Sequence, residues 1–232
     1  GSLGLMGSVN ETVTLQLVDS QSTGLNVSSQ VSLNIIGNAG WVTTIGGVNT
    51  DEIESVVGTT DGGFIAVGYT ISFGAGSNDA LIAKSNSSGT KLWSKTVGGT
   101  SPDQFQSVRQ TSDGGFIAAG RTGSYGAGAM DAFIVKFNSS GDVQWSKTAG
   151  GANPDYFDSV RETSDGGFIA AGNAASFEGG VYADCFIVKF NSSGVEQWSK
   201  TVGTASSDSF SSIQETSDSS LIAVGKTNGY GA

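Results

Sequence analysis

Short apolar runs separated by glycine-rich turns recur along this chain. The runs are rich in β-branched and aromatic residues and are too short for helices, so each predicts a β-strand. The turns SDGG and NSSG between them have the residues that hairpins use. Within residues 104–152 the pattern predicts four antiparallel strands: Phe105 to Thr111, Phe116 to Gly120, Asp131 to Phe137 and Val143 to Thr148.

This four-stranded unit repeats at a nearly constant spacing. Segments SDGGFIAAG and FIVKFNSSG each occur twice, and the four tryptophans lie 52, 52 and 53 residues apart: Trp41, Trp93, Trp145 and Trp198. Such units are typical of β-propeller blades. A right-handed β-solenoid is the alternative, although its coils are usually shorter and lack a hairpin at each corner. We therefore predict an all-β propeller of four-stranded antiparallel blades, with each tryptophan buried between blades.

The repeated text SDGGFIAAG, DAFIVKFNSSG, WSKT and GG resembles β-propeller repeats of secreted and cell-surface proteins of bacteria and archaea. The resemblance covers about residues 41–232 and implies a fold and a surface location, but no particular activity. The turn from Thr111 to Phe116 is also similar to the Asp-box of sialidase propellers. It departs from that motif at Ile117 and Ala118, where the motif has Thr-Trp, and an Asp-box is in any case a structural turn.

The number of strands raises the question of how the ring closes. Units starting near Asp51, Asp103 and Asp155 are complete, whereas the unit starting near Asp208 has two strands. We divide the chain into N-terminal strands, 1–40, and propeller repeats, 41–232. The preferred prediction is a four-bladed ring whose last blade is closed by the N-terminal strands, because closure removes open sheet edges. The alternatives are an extra hairpin, a sheet of another domain, a fragment of a longer propeller, or a strand donated to a neighbouring subunit.

Composition excludes several classes of function. The chain has 232 residues, a net charge of −10 and no histidine. Without clustered Lys and Arg, a nucleic-acid partner or an anionic membrane surface is disfavoured. Without histidine, the usual general base and the commonest transition-metal ligand are missing. No apolar run approaches the roughly 20 residues of a membrane helix, so we expect no membrane insertion and no cofactor. Cys185 stands where the sister repeats have alanine, so we interpret it as a small apolar strand residue.

The repeated acidic residues predict structure rather than chemistry. A ring formed by Asp51, Asp103, Asp155 and Asp208 is a candidate for calcium, which takes several oxygen ligands. We favour a role in capping loops, because no run of acidic ligands surrounds these positions. The aspartates of the SDGG turns are interpreted as turn residues. Those that open the third strands are expected to pair with backbone or with in-register lysines: Asp79, Asp131 and Asp184, with Lys84, Lys136 and Lys189.

A ligand-binding or catalytic site is expected where a residue differs from those at the same position of the other repeats. Arg and Glu in neighbouring first strands are expected to line the channel, and carboxylate pairs leave glycoside hydrolysis open as an activity. A solvated or salt-bridged pair is the commoner explanation, so we predict no enzymatic activity and no catalytic residue. The departures are Arg109, Arg161, Glu162, Glu215, Arg121, Asn173, Lys226, Glu178 and Tyr182.

An aromatic residue recurs in the long loop between the second and third strands, flanked by glycine. Exposed rings on such loops suit contacts with proteins or carbohydrate, and rings that plug the loop are the equal alternative. We predict that these rings lie on the face opposite the SDGG and NSSG hairpins and bind the ligand or partner. They are Phe73, Tyr125, Phe177 and Tyr230.

The NSSG turns contain glycosylation sequons at Asn86, Asn138 and Asn191. Together with the scarcity of cysteine and the acidic, Gly/Ser-rich composition, they favour a secreted or surface protein. We predict a non-enzymatic extracellular module with a structural, adhesive or binding role, whose partners are other surface proteins, further copies of itself, or carbohydrate. The alternative is a propeller that binds or degrades polysaccharide.

Overall fold

The computed structural model describes residues 43–177 and 182–229, together with one strand at 32–33. Sixteen strands lie within this part of the chain. They are β1 (Ser32–Leu33), β2 (Thr43–Thr44), β3 (Asp51–Gly58), β4 (Phe64–Thr70), β5 (Asp79–Ser85), β6 (Lys91–Val97), β7 (Asp103–Gln110), β8 (Phe116–Thr122), β9 (Asp131–Phe137), β10 (Val143–Ala149), β11 (Asp155–Glu162), β12 (Phe168–Ala174), β13 (Asp184–Phe190), β14 (Glu196–Val202), β15 (Asp208–Glu215) and β16 (Leu221–Thr227). Among the same residues no helix is long and apolar enough to span a bilayer.

The predicted all-β fold with four-stranded repeats is confirmed. Three antiparallel sheets have the strand orders β3-β4-β5-β6, β7-β8-β9-β10 and β11-β12-β13-β14, and we call them blades 1, 2 and 3. Strands β15 and β16 pair with each other and form half-blade 4. The glycine-containing hairpins arise as predicted, since Gly114 and Gly141 have positive φ values of 79° and 80°, which favour glycine.

The first strand of each blade lies innermost. Strand β3 packs against β7, β7 against β11, and β11 against β15. The fourth strand is the outermost, and most of its side chains in β10 and β14 are exposed. This arrangement is that of propeller blades around a central channel.

The core lies between blades. Phe105 and Val108 of blade 2 pack with Ile65 and Val67 of blade 1 in one buried cluster. A second cluster joins blades 2 and 3 in the same way. Alanines in the middle strands allow this close approach, because each blade buries both of its faces. Cys185 is buried within β13 and fills a small apolar position, as the sequence indicated.

The tryptophans lie at the outer seam between blades, but the prediction that each is largely buried was wrong. The Trp93 ring meets Phe116 of the next blade at 5.9 Å, and the Trp145 ring meets Phe168 at 5.6 Å. Both are only half-buried because they belong to outermost strands, and Trp198 is 36% exposed. Trp41 lies outside the described residues.

The glycine of each NSSG turn forms the other half of this seam. A Cβ added to Gly141 would lie 2.7 Å from the Trp93 ring, and one added to Gly194 would lie 2.7 Å from the Trp145 ring. Each tryptophan thus packs directly on the backbone of the next blade.

Half-blade 4 has an open edge within the described residues. Strand β16 pairs there with β15 alone, and β1 pairs with β2 in a sheet of its own. Strand β15 does not pack against β3 as the other first strands pack against their neighbours. Apart from β1, the N-terminal segment 1–40 that was predicted to close the last blade lies outside the described residues. Closure by the N-terminal strands therefore stays a prediction.

Candidate binding site on the loop face

Two kinds of loop share one face of the blades, which we call the loop face. The loop before each blade is tied to the long loop of the blade that precedes it. The N–H of Asp103 donates to Asn78 O at 2.8 Å, that of Asp155 to Met130 O at 3.0 Å, and that of Asp208 to Ala183 O at 2.7 Å. The hairpins lie at the opposite ends of the strands, on the hairpin face.

The first aspartate of each blade holds these loops together. The Asp103 carboxylate accepts hydrogen bonds from the Gly99 N–H at 3.0 Å, the Ser124 hydroxyl at 2.6 Å and the Thr122 hydroxyl. Equivalent bonds occur at Asp51 and Asp155. The capping interpretation is confirmed. Within the described residues no group of three or more His, Cys, Asp or Glu side chains is placed to hold a metal ion.

Two kinds of partner were expected for Asp79, Asp131 and Asp184, namely backbone groups or the in-register lysines, and the lysines pair with other aspartates. The Lys136 ammonium is buried and lies 2.8 Å from the Asp113 carboxylate of the SDGG turn. Lys84 and Lys189 pair with Asp61 and Asp165 in the same way. The cause is distance: a strand rises about 3.3 Å per residue, which separates the first and sixth residues of β9.

The backbone half of that expectation holds. The Asp131 carboxylate accepts the Gly128 N–H at 3.0 Å, and the Asp79 carboxylate accepts the Gly76 N–H at 3.1 Å. These aspartates therefore fix the end of each long loop just before its third strand begins.

The recurring aromatic rings lie on the loop face and are partly exposed. Phe73 is 50% exposed and Tyr125 is 47% exposed, whereas Phe177 is half-buried. The Tyr125 hydroxyl donates to Gly98 O at 2.7 Å, and its ring lies 5.9 Å from Phe133. The Phe177 ring packs 5.2 Å from Phe186. Each ring is held on one side and open on the other, and Tyr230 lies outside the described residues.

The sequon asparagines lie on the hairpin face, and all three are partly buried. The Asn138 amide oxygen accepts the N–H groups of Ser140 and Asp142, each at 2.9 Å. Asn86 and Asn191 organise their turns in the same way. Hairpin geometry thus accounts for the repeated asparagine, and glycosylation stays a prediction.

A polar cavity of about 300 Å³ opens where the channel meets the loop face. Three departures from the repeat meet in its wall, namely Arg121, Asn173 and Lys226, which hold one position on β8, β12 and β16. Tyr156 and Asp158 complete the charged and aromatic lining. The register of β11 shifts between Phe157 and Ser159, so Asp158 stands at a bulge, the kind of irregularity that redirects a side chain.

Burial and nearby positive charges shift the pKa of Asp158, in the cavity wall, in opposite directions. Burial raises the pKa of Asp158 above its usual value, while the positive charges of Arg121 and Lys226 lower it in part. The Arg121 guanidinium lies 5.3 Å from the centre of the Tyr156 ring and donates to the Gln104 side chain at 2.7 Å. The cavity therefore offers a cation, a carboxyl and an aromatic ring within one small volume.

Three of these five residues, Arg121, Asn173 and Lys226, were recognisable in the sequence as departures from the repeat, although nothing there indicated that they meet in one cavity. Tyr156 and Asp158 were not predicted. Their signal was the replacement of Gln104 and Gln106 of the preceding repeat.

The remaining departures lie elsewhere. Glu162 accepts hydrogen bonds from Ser112 of the preceding blade, and Glu215 does so from Ser164, so both glutamates join blades on the hairpin face. Tyr182 is exposed in the long loop of blade 3, and Glu178 lies outside the described residues.

Comparison with known proteins gives distant similarities. No family model matches the chain. A regulatory protein, FlaEY, of Caulobacter vibrioides is 26% identical over 178 residues, covering 66% of this chain and 19% of that protein. The crystal structure of a protein of unknown function from Bacteroides caccae is 14% identical with a TM-score of 0.47, covering 88% of this chain and 62% of that one. The chain thus spans less than two thirds of each.

Proposed function

We propose that this chain is a non-enzymatic extracellular β-propeller module that docks a partner protein of a cell surface or assembly through its loop face. The main support for this proposal is that a partly exposed aromatic ring recurs at one position of each described long loop. The rings are fixed in place by packing and by the capped loops beneath them. Rigid aromatic side chains contribute large contact areas at a low entropic cost, which is why interfaces are enriched in them.

A module of this kind needs a stable, repetitive support rather than a reactive site. The first aspartate of each blade, the third-strand lysines and the two glutamates Glu162 and Glu215 hold loops, turns and blades together. A single ring on each of several loops suits a broad partner surface better than one small ligand. The FlaEY relative is named a regulatory protein, and a role in binding fits that name.

Truncation of the rings tests this proposal. Phe73→Ala and Tyr125→Ala should each weaken binding of a partner protein, or self-association in sedimentation velocity, by about tenfold or more, the size of an interface hot spot. Val143→Ala is the matched control, because Val143 is an equally exposed apolar residue on the hairpin side of β10. Equal losses in the control and the ring variants would contradict the assignment of the loop face.

Carbohydrate binding is the second candidate, and the cavity at the channel mouth favours it. Its volume of about 300 Å³ fits one or two sugar rings, and Tyr156, Asp158 and Asn173 offer a stacking face and hydrogen bonds. On a glycan array, Tyr156→Ala should abolish any signal that Tyr156→Phe retains. Release of reducing ends by the wild type but not by Asp158→Asn would instead favour a degrading enzyme.

A further inference from the structure

Two arginines occupy one repeat position on neighbouring inner strands, near the hairpin face. Arg109 is the seventh residue of β7 and Arg161 is the seventh residue of β11. The same position holds Val57 in blade 1 and Gln214 in half-blade 4. The pair is therefore not part of what the repeat needs in order to fold.

Strand alternation places both side chains on the side of the following blade. The Ser107 hydroxyl accepts the N–H of Val160 in the following blade at 3.4 Å, whereas Gln110 accepts the N–H of Thr60 in the preceding blade at 2.8 Å. Side chains two residues apart on a strand share a face, so Arg109 lies on the side of Ser107.

Arg161 follows the same rule, since the Ser159 hydroxyl accepts the N–H of Ile213 at 3.2 Å. Because β7 and β11 are innermost and packed together, both arginines lie on strands that line the channel.

Neither guanidinium is neutralised by a carboxylate within the described residues, where all four ion pairs involve lysine. Each Nη1 donates to the carbonyl just before it, Val108 O at 2.5 Å and Val160 O at 2.8 Å. A guanidinium has five N–H donors, so most remain available. Burial, and then the charge of Arg161, lowers the pKa of Arg109 to about 10. Glu162 does not relieve this, because it binds Ser112 of the preceding blade.

We propose that Arg109 and Arg161 form an oxoanion-binding site at the hairpin end of the channel. Two half-buried guanidinium groups at the same level of neighbouring inner strands repel, and an anion bound by both removes that repulsion. Arginine binds sulfate, phosphate and carboxylate groups with paired N–H donors, which gives both strength and orientation. The anion comes either as a free ion or as a charged group on a larger ligand, such as a sulfated or carboxylated glycan.

The matched variants are Arg109→Val and Arg161→Gln, because the protein itself has Val57 and Gln214 at this position. In calorimetric titration with sodium sulfate, each should weaken binding by about tenfold or more, the loss expected for one charge-assisted contact. The double variant should show no binding. Lys147→Gln is the control: it removes one positive charge from the exposed outermost strand β10 and should bind sulfate as the wild type does.

A second measurement separates this site from general salt effects, since sulfate stabilises most proteins. At equal ionic strength, sulfate should raise the melting temperature of the wild type above that in chloride by more than it does for the double variant. A titration with a sulfated disaccharide then separates the two sources. Preference for the disaccharide assigns the site to a group on a larger ligand, and equal affinity assigns it to the free ion.

Three outcomes would overturn the proposal. They are the absence of sulfate and disaccharide binding by the wild type, unchanged binding by the double variant, and a loss in Lys147→Gln equal to that in Arg109→Val. None of these bears on the partner site proposed above, which lies on the opposite face.

Discussion

Blade 2 and half-blade 4 have nearly the same sequence in their second strands but very different surroundings. Ile117 and Ala119 of β8 are 0% exposed, whereas Ile222 and Val224 of β16 are 55% and 58% exposed. Strand β8 is covered by β9 and by blade 3, while β16 has neither neighbour within the described residues. The second strand of the repeat is therefore buried only when the third strand pairs with it and the following blade packs against it.

The turns of the two units show the same dependence. A Cβ added to Gly115 would lie 2.3 Å from Phe137 O and 2.6 Å from the Lys136 ammonium, so the third strand requires glycine there. Half-blade 4 has Ser220 at this position. A third strand that lay beside β16 as β9 lies beside β8 would meet that side chain. The glycine is therefore a requirement of the completed blade and not of the turn.

The largest expected difference is between Ile117→Ala and Ile222→Ala. The first leaves a cavity between blades and should cost about 3 kcal/mol of unfolding free energy. The second removes an exposed side chain and should cost less than about 0.5 kcal/mol. Urea unfolding followed by circular dichroism measures both. Equal costs would show that the outer side of half-blade 4 is covered in solution.

The tryptophans offer a smaller contrast of the same kind. Trp145→Ala removes contacts with Phe168 and Gly194 and should cost about 2 kcal/mol, less than for a fully buried ring. Trp198→Ala should cost about 1 kcal/mol or less, because that ring is more exposed. Iodide should quench Trp198 more than Trp145 when each is studied with the other replaced by phenylalanine. The reverse order of quenching would contradict this account of the seam.

The aspartates in the turns between first and second strands should make the stability of blade 2 and of half-blade 4 depend differently on pH. Burial raises the pKa of Asp113, but hydrogen bonds from Lys136, Thr111 and the Gly115 N–H more than offset it and bring the pKa to about 2. Since this folded value lies below the unfolded one, Asp113 stabilises the fold above about pH 4, and the stabilisation is lost as the pH falls toward 2. Asp113→Asn should therefore cost about 1–2 kcal/mol at neutral pH, because Lys136 stays buried, and should flatten this part of the pH profile.

Asp218→Asn is the control for that experiment. The pKa of Asp218 is lowered by hydrogen bonds from Thr216 and Ser220, without a lysine. Its replacement should change stability less at neutral pH. Thermal unfolding between pH 2 and 7 distinguishes the two variants, and an equal response would mean that the lysine contributes nothing.

The smallest expected effect concerns backbone strain. Ser219 has a φ of 64°, where the other SDGG turns have glycine. Ser219→Gly should stabilise the protein by about 1 kcal/mol, and Gly114→Ser should destabilise it by a similar amount. No atom lies within 4 Å of a Cβ added to Gly114, so conformation alone is responsible. Ser219→Gly should raise the melting temperature and Gly114→Ser should lower it.

The strands and their antiparallel order were predictable because hairpin residues and apolar runs recur in register. What the sequence did not indicate was which polar residues meet across strands. Lys136 was one of two expected kinds of partner for Asp131, but the length of β9 separates the two residues and places the Lys136 ammonium beside Asp113. Asp158 stands at a bulge of β11 in the cavity wall, and nothing in the order of residues marks a bulge. The aromatic loops were predictable from their repeated position, whereas the exposed fraction of each ring depends on packing that the sequence does not show.

The contact between each tryptophan and the turn glycine of the next blade has a consequence for how such chains change over time. One copy of the unit contains both surfaces of the junction, the ring at its outer strand and the glycine at its turn. A tandem duplication therefore adds a blade whose two new junctions already fit, without compensating substitutions elsewhere. Unequal crossing-over between near-identical copies can lengthen or shorten the array in the same way, so blade number is expected to drift faster among descendants than the unit itself.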